Sequence, residues 1–377
     1  MVEIETAVGT SMKVVCSKEE LVSALAVVSR AVSTRSTVQV LSGILVKGEG
    51  DRIELAATDM ELSLRLSLEG QIEGGGAAVV PGRLLVDLAR LLPEGEVTLE
   101  HRAEEGALQV TSGSSVSRLQ TYSAEDFPKL PDAASAQTFP VDRAAFLGTI
   151  AKVSRAASRD ESRPVLTGIL VRFEADKLIM AATDSYRLSV KETALSGAPS
   201  QELEAIVPAR ALGELARIAH DADELQVGVQ ENHVVFGADG VWLTTRRIDG
   251  QFPNHKQLIP ETFEHEVVLP REEFLDVVRR TSVMAQRNSP LRLRFAEGEV
   301  TVSAQTQDVG EARETLPVGF TGDELEIGFN PDFLREGVES VDTDEVQLRL
   351  ISPLRPGLIR SDEEDFSYLI MPIRLAG

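Results

Sequence analysis

Residues 40–59 read VLSGILVKGEGDRIELAATD, and residues 165–184 read VLTGILVRFEADKLIMAATD. The second stretch repeats the first 125 positions on, one third of the 377-residue length. A weaker third copy, LRLRFAEGEVTVSAQT, occupies residues 291–306. A fixed spacing of this size marks one supersecondary unit used several times, and about 125 residues is an ordinary domain length. Each copy predicts two β-strands joined by a tight turn. Gly48-Glu49-Gly50-Asp51 and Glu297-Gly298-Glu299 supply the turn chemistry between runs rich in branched apolar residues.

Two further elements recur in register. Residues 17–34 (SKEELVSALAVVSRAVST) match residues 142–159 (DRAAFLGTIAKVSRAASR), and Pro270 followed by residues 271–286 (REEFLDVVRRTSVMAQ) is the third copy. Ser17 and Asp142 suit the N-cap, where a side-chain oxygen takes an orphan backbone N–H, and Glu20 completes a capping box with Ser17. A second helix is predicted after a strand that ends in proline: from Val80-Pro81 to Leu92, from Val207-Pro208 to Ala219, and from Phe329-Asn330-Pro331 to Val341. Asp126-Phe127-Pro128 and Gln251-Phe252-Pro253 close the first two modules. Each module therefore reads helix, strands, helix, strands, and the fold class is α+β with antiparallel sheets. The expected organisation is a flexible leader over residues 1–11 and three modules over residues 12–137, 138–262 and 263–377.

Apolar residues make up 42% of the chain, enough for packed cores. Cys16 is the single cysteine, so no intrachain disulfide forms and a reducing cytoplasm is expected. Cys16 itself reads as structural. No run reaches the roughly 18 apolar residues of a membrane span, and the N-terminus lacks a basic start followed by an apolar core. His101, His220, His233, His255 and His265 show no metal-ligand spacing. Gly74-Gly75-Gly76 lacks the Lys-Ser/Thr of a phosphate loop and reads as a turn. Thr58-Asp59 and Thr183-Asp184 resemble paired catalytic carboxylates, but strand-end aspartates capping turn amides explain them more simply. Trp242 reads as core or interface. Neither a catalytic centre nor a cofactor is expected.

The net charge of -22 argues against a nucleic-acid partner until its distribution is considered. Segments 18–35, 81–92, 208–219 and 271–287 each carry +1 and segment 141–160 carries +2; only 331–341 is acidic, at -2. Arg83, Asp87 and Arg90 form one helical stripe, repeated as Arg210, Glu214 and Arg217. Lys152, Arg155 and Arg159 form another, echoed by Arg280 and Arg287. These stripes are expected to face away from an apolar face built on Leu84, Leu88 and Leu91. The third module departs, with Asp332, Glu336 and Glu339 at the matching positions. Helices of modest positive potential in an otherwise acidic chain fit weak contact with a DNA backbone, with no reading of bases.

Taken in order, Ala57-Thr58-Asp59 and Ala182-Thr183-Asp184, Tyr186-Arg187-Leu188, Asp249-Gly250-Gln251-Phe252-Pro253, Ile327-Gly328-Phe329-Asn330 and Met371-Pro372-Ile373-Arg374-Leu375 resemble the bacterial DNA polymerase III beta subunit family, the sliding clamps, over about residues 12–377. The resemblance implies three DNA-clamp modules per chain and a head-to-tail homodimer that closes a ring of six modules around double-stranded DNA, helices inside and sheets outside. It implies no catalysis and no cofactor. It places a dimer contact between the strand around Val116–Tyr122 and the helix around Arg271–Met284, with Ser117 where the family often has an aromatic residue. It implies short clamp-binding peptides as partners, carried by the DNA polymerase III alpha subunit, the clamp loader, other polymerases and repair proteins. Their pocket, carried over residue by residue, is Leu166, Thr183, Ser185, Tyr186, Arg187, Leu188, Pro253, Leu258, Ser352, Leu369, Met371, Pro372 and Ile373. Tyr186 replaces a common histidine and Gln257 a common arginine. The DNA contacts implied at the helix ends are Arg35, Arg163 and Arg279, with Arg159 serving beside Asp160; the stripes add Arg83, Arg90, Lys152, Arg155, Arg210, Arg217 and Arg280. A clamp-like paralogue acting outside replication would keep all of these features, whereas an unrelated duplicated scaffold would form no dimer.

Overall fold

A computed structural model of the chain describes residues 12–375, apart from residues 35, 132, 134–135, 175, 196–202, 286–288, 308–309 and 362–363. The leader expected over residues 1–11 lies outside the described residues. By its contacts the chain divides into two compact units, Met1–Arg143 with Glu214–Arg247, and Ala144–Gly213 with Ile248–Gly377. The middle repeat is shared between them because its strands enter two different sheets.

In the first unit, a five-stranded sheet takes Gln71–Gly74, Lys13–Ser17, Glu96–Arg102, Ala107–Ser112 and Ser115–Gln120 in that order. An eight-stranded sheet runs Phe139–Val141, Leu225–Val229, His233–Ala238, Val241–Arg246, Leu62–Glu69, Arg52–Thr58, Gly43–Glu49 and Gly76–Pro81. The second unit repeats the pattern. Its eight-stranded sheet runs Leu203–Pro208, Gly168–Glu174, Lys177–Thr183, Arg187–Ala194, Glu364–Ile370, Gly357–Ser361, Glu345–Leu350 and His265–Pro270. Its four-stranded sheet runs Gly310–Pro317, Glu299–Thr306, Leu291–Ala296 and Leu325–Phe329. Every pairing is antiparallel, as alternating burial along strands such as Leu62–Glu69 requires of sheets with one covered face.

Each eight-stranded sheet is continuous across a module junction. In the first, Val241–Arg246 pairs with Leu62–Glu69, placing Trp242 opposite Arg65 and Thr244 opposite Ser63. In the second, Glu364–Ile370 pairs with Arg187–Ala194, placing Leu369 opposite Leu188. A closing bridge recurs three times at 2.8 Å: Tyr122 N–H donates to Val79 O, Ile248 N–H to Ile206 O, and Ile373 N–H to Gly328 O. The sequence repeat is thus a repeat of hydrogen bonds.

The helices cover the sheets. Lys18–Val28 is capped by Ser17, whose hydroxyl accepts the Glu20 N–H at 3.3 Å, and it buries Leu21, Ala24, Leu25 and Val28. Arg143–Val153 buries Phe146, whose ring stacks on Phe173 at 6.4 Å. Arg271–Ser282 packs on Pro331–Glu339 around Phe274, Phe295, Phe329 and Tyr368. Gly337 faces the Tyr368 ring, and a Cβ there would meet it at 2.7 Å, so the close approach of this helix depends on glycine. One sequence expectation fails. The helix Gly82–Leu91 buries Leu85, Val86 and Ala89, while Leu84 and Leu91 are exposed beside Arg83 and Arg90. Leucines occupy both sides of this helix, and the periodicity alone selected the wrong one.

Candidate partner and DNA interfaces

The Thr-Asp pairs organise a turn. Asp184 Oδ1 accepts the backbone N–H of Tyr186 (2.9 Å) and Arg187 (3.0 Å), and Thr183 Oγ1 donates to Arg187 O at 2.6 Å. The first junction repeats this: Asp59 Oδ1 accepts from Glu61 (3.1 Å) and Leu62 (2.9 Å), and Thr58 Oγ1 donates to Leu62 O at 3.0 Å. Both aspartates cap turns, as the sequence suggested. Both turns hold a side-chain-bearing residue in the left-handed region, Met60 at φ 79° and Ser185 at φ 80°. That conformation disfavours residues with a Cβ, and the capping network holds it in place.

Around the second junction the structure joins most of the expected pocket. Leu188 and Leu369 are buried cross-strand partners within one cluster that includes Phe252. The Met371 N–H donates to Tyr186 O at 2.8 Å, tying the C-terminal Met371-Pro372-Ile373 segment to the turn. Pro253 precedes the short helix His255–Leu258. Tyr186 (62% exposed), Leu258 (48%) and Met371 (42%) stand out of this buried floor as exposed large apolar side chains. Leu166 follows the loop that carries Arg163, whose carbonyl accepts the Leu166 N–H at 3.0 Å. Ser352 sits in the turn before Gly357–Ser361. In that turn Leu354 is also exposed, with no motif around it to mark it in the sequence.

Arg187 behaves differently from its apolar neighbours. Its side chain is 9% exposed. Nε donates to Asp184 Oδ2 at 3.1 Å, and Nη1 bonds Glu336 and the Tyr368 hydroxyl. The guanidinium lies 4.2 Å from the centre of the Phe333 ring. Burial opposes its charge, yet Tyr368 and Glu336 outweigh that and raise its pKa above the ordinary arginine value. Arg187 therefore links the turn to the helix Pro331–Glu339 from within.

The basic residues fall into two groups. Many are compensated. Lys152 Nζ lies 2.7 Å from Asp342, and Arg155 Nη1 lies 2.6 Å from Glu339. Arg279 Nη2 lies 3.1 Å from the same Glu339. Arg163 pairs with Asp160 at 2.8 Å and Arg217 with Glu214 at 2.7 Å. Arg280 engages Glu314, on the strand Gly310–Pro317, at 2.7 Å. The acidic third-module helix is thus the counter-charge of the second module's basic stripe. A related pair, Arg30 to Glu214 at 3.2 Å, occurs in the first unit, and both pairs span 184 residues between a first helix and the next module's second helix. Arg83 stands 94% exposed with Asp87 only at 3.8 Å. Arg90 and Arg159 are exposed and form no ion pair among the described residues. Arg210 is exposed. Arg35 and Arg287 lie outside the described residues.

Among the described residues, no helix is long and apolar enough to cross a membrane. Cys16 is buried, which pushes its thiol up to about 12 and leaves it unreactive.

Residues 12–131, 140–254 and 256–374 match, in order, the N-terminal, central and C-terminal domains of the DNA polymerase III beta subunit. The beta sliding clamp of Streptomyces coelicolor is 33% identical over 97% of this chain and all of its own length. The crystal structure of the Bacillus subtilis DNA polymerase sliding clamp superposes with a TM-score of 0.92 at 26% identity, covering 97% of this chain and 100% of that one. The Pseudomonas aeruginosa sliding clamp bound to griselimycin does so with 0.89 at 27% identity, over 97% and 100%. With three family domains in register across nearly its whole length, the chain belongs to the DNA polymerase III beta subunit family, the beta sliding clamps.

Proposed function

We propose that two copies of the chain close head to tail into a ring of six modules around duplex DNA, a non-catalytic cytoplasmic processivity factor that tethers the replicative polymerase. The observation that carries this reading is an unfinished repeat. Each internal junction pairs the last strand of one module with the third strand of the repeated hairpin set in the module before it: Val241–Arg246 with Leu62–Glu69, and Glu364–Ile370 with Arg187–Ala194. The two remaining strands of these types, Ser115–Gln120 and Gly310–Pro317, each end a sheet. An open sheet edge is a template for another chain, and a heterologous pairing that closes leaves none exposed.

The internal registers specify the missing one. Transferring Trp242–Arg65 and Thr244–Ser63 through the repeat sets Val116 opposite Arg313, Ser117 opposite Ala312, and Arg118 opposite Glu311 of the second copy. The helix Arg271–Ser282 supports this edge through Arg280 and Glu314, so strand and helix together form the dimer contact. Solution mass is the test. The chain should run at twice 40.9 kDa. Arg118→Glu should shift it toward monomer, and Arg118→Glu with Glu311→Arg should restore the dimer. A wild-type monomer, or a double variant no better than the single, refutes the register.

Within the ring, Arg83, Arg90 and Arg159 are the cations best placed to meet phosphates, and Arg210 is exposed on the stripe it shares with Arg217. Lys152, Arg155, Arg163, Arg217, Arg279 and Arg280 share their charge with carboxylates and contribute less. Partner peptides from the polymerase alpha subunit, the clamp loader and repair proteins anchor on Tyr186, Leu258 and Met371 above Leu188 and Leu369. The pocket suits a short apolar motif.

A further inference from the structure

The first junction carries a cleft that is the repeat counterpart of the peptide pocket, with different chemistry. It encloses about 540 Å³ and is walled by the Thr58–Ser63 turn, the segment Pro128–Pro131 and the strand end at Thr244–Arg246. The correspondence with the second junction is positional. Thr58 stands for Thr183, Met60 for Ser185 with the same left-handed φ, and Pro128 for Pro253. The cross-strand pair Ser63–Thr244 stands where Leu188–Leu369 forms the apolar floor, and Arg246 stands where Met371 does.

These replacements change what the cleft can hold. A floor of hydroxyls strands an apolar side chain against groups that need hydrogen bonds. The Thr244 hydroxyl has no protein partner among the described residues, and Ser63 Oγ donates to Thr58 Oγ1 at 2.9 Å. Lys129 and Arg246 are exposed on the walls and make no ion pair among the described residues, and among the described lining residues Glu61 is the one carboxylate. Burial, with Arg246 adding to it, lowers the pKa of His233, which lines the same wall. Among the described lining residues, two cations against one carboxylate is an unusual balance in a chain of net charge -22. Met60, 56% exposed, adds an apolar contact at the mouth, and Pro128, Leu130 and Pro131 line the wall that carries Lys129. We propose that the first-junction cleft binds a second class of linear partner segment, an extended acidic peptide whose carboxylates meet Arg246 and Lys129 and whose backbone meets the hydroxyl floor. The proposal rests on reading the second junction as a peptide pocket.

The test uses the full chain, labelled with 13C-methyl methionine, and two probes carrying fluorescein on the N-terminal amine: fluoresceinyl-EDLEDL-amide and the apolar fluoresceinyl-ALALLF-amide. The acidic probe should bind and move the Met60 methyl signal. Arg246→Glu should weaken it at least tenfold, since the change deletes one attraction and adds one repulsion. Met371→Ala should leave it unchanged while weakening the apolar probe. A second variant, Ser63→Leu with Thr244→Leu and Arg246→Met, gives the first junction the apolar floor and the Met371 counterpart of the second; it should lose the acidic probe and gain an additional site for the apolar one. Binding of the acidic probe that ignores Arg246→Glu, or fails to move Met60, overturns the proposal. So does its loss in Met371→Ala, which would put it in the other pocket. If instead the apolar probe ignores Met371→Ala, the second-junction reading fails on its own, whatever the acidic probe does.

Discussion

Removing the carboxylate of Glu336 should loosen the peptide pocket from the inside. Glu336 is 24% exposed and Arg187 9%, so their contact sits largely out of water. Stripping one partner from a fully buried ion pair costs roughly 3–5 kcal/mol, because the other charge is stranded. Here the guanidinium keeps Asp184 at 3.1 Å, the Tyr368 hydroxyl at 3.2 Å and the face of Phe333, and Glu336 retains some solvent. The loss is therefore scaled to about 2 kcal/mol for Glu336→Ala, and to about 1 kcal/mol for Glu336→Gln, whose amide oxygen still accepts. The effect should be local. Hydrogen exchange of amides in Arg187–Ala194 and Glu364–Ile370 reads it directly, whereas fluorescence of the sole tryptophan, Trp242, reports on the other unit. A cycle of Glu336→Ala, Arg187→Ala and the double variant should give a coupling of about 1.5 kcal/mol. Because Met371 N–H is bonded to Tyr186 O one residue from Arg187, apolar peptide affinity should fall severalfold in Glu336→Ala. A coupling under about 0.5 kcal/mol, or unchanged exchange in both strands, would falsify this account of Arg187 as an internal link.

Other expectations follow from the same geometry. Met371→Ala with Pro372→Ala should cost partner peptides about 1 kcal/mol or more, with the dimer mass unchanged; equal affinity in a titration removes the pocket assignment. Arg90→Glu with Arg159→Glu should lower DNA affinity and flatten its salt dependence more than Arg155→Glu, whose charge is already shared with Glu339; an equal loss in the two cases contradicts the division into free and compensated cations. Burial pushes the Glu339 carboxyl up, but hydrogen bonds from Arg155 and Arg279 outweigh it and leave its pKa below the ordinary value. A depressed folded pKa means the contribution is complete above the unfolded value of about 4.3 and is lost as pH falls through the folded one. Carboxyl 13C titration should show Glu339 below that value and Arg155→Ala should raise it; no change on substitution would assign the depression elsewhere.

Which parts of this molecule were legible in its sequence depends on how many residues share a constraint. The repeat was readable because the same turn is built twice from the same atoms: a threonine hydroxyl to a carbonyl four residues on and an aspartate oxygen to two amides. Such local chemistry fixes residue type, so it survives as a string match. The apolar floor was readable for the same reason, since Leu188 and Leu369 must face each other across one strand pair. Charge was not. A basic stripe of Lys152, Arg155 and Arg159 has one sequence signature whether its counter-ions are phosphates or Asp342 and Glu339, which lie more than 180 residues away. The acidic third-module helix looked like an exception to a basic pattern, and in the fold it is the partner of that pattern. Leu84 and Leu91 mislead in a similar way, because a helix with leucines on two sides offers two candidate faces and only the packed sheet chooses. The two junctions combine both lessons. Their turns share the same capping and so were found together, while their walls differ by single exchanges, among them Ser63 for Leu188, Thr244 for Leu369 and Arg246 for Met371, that carry no pattern of their own. Duplication fixed the backbone of both clefts, which left their side chains free to diverge toward different partners.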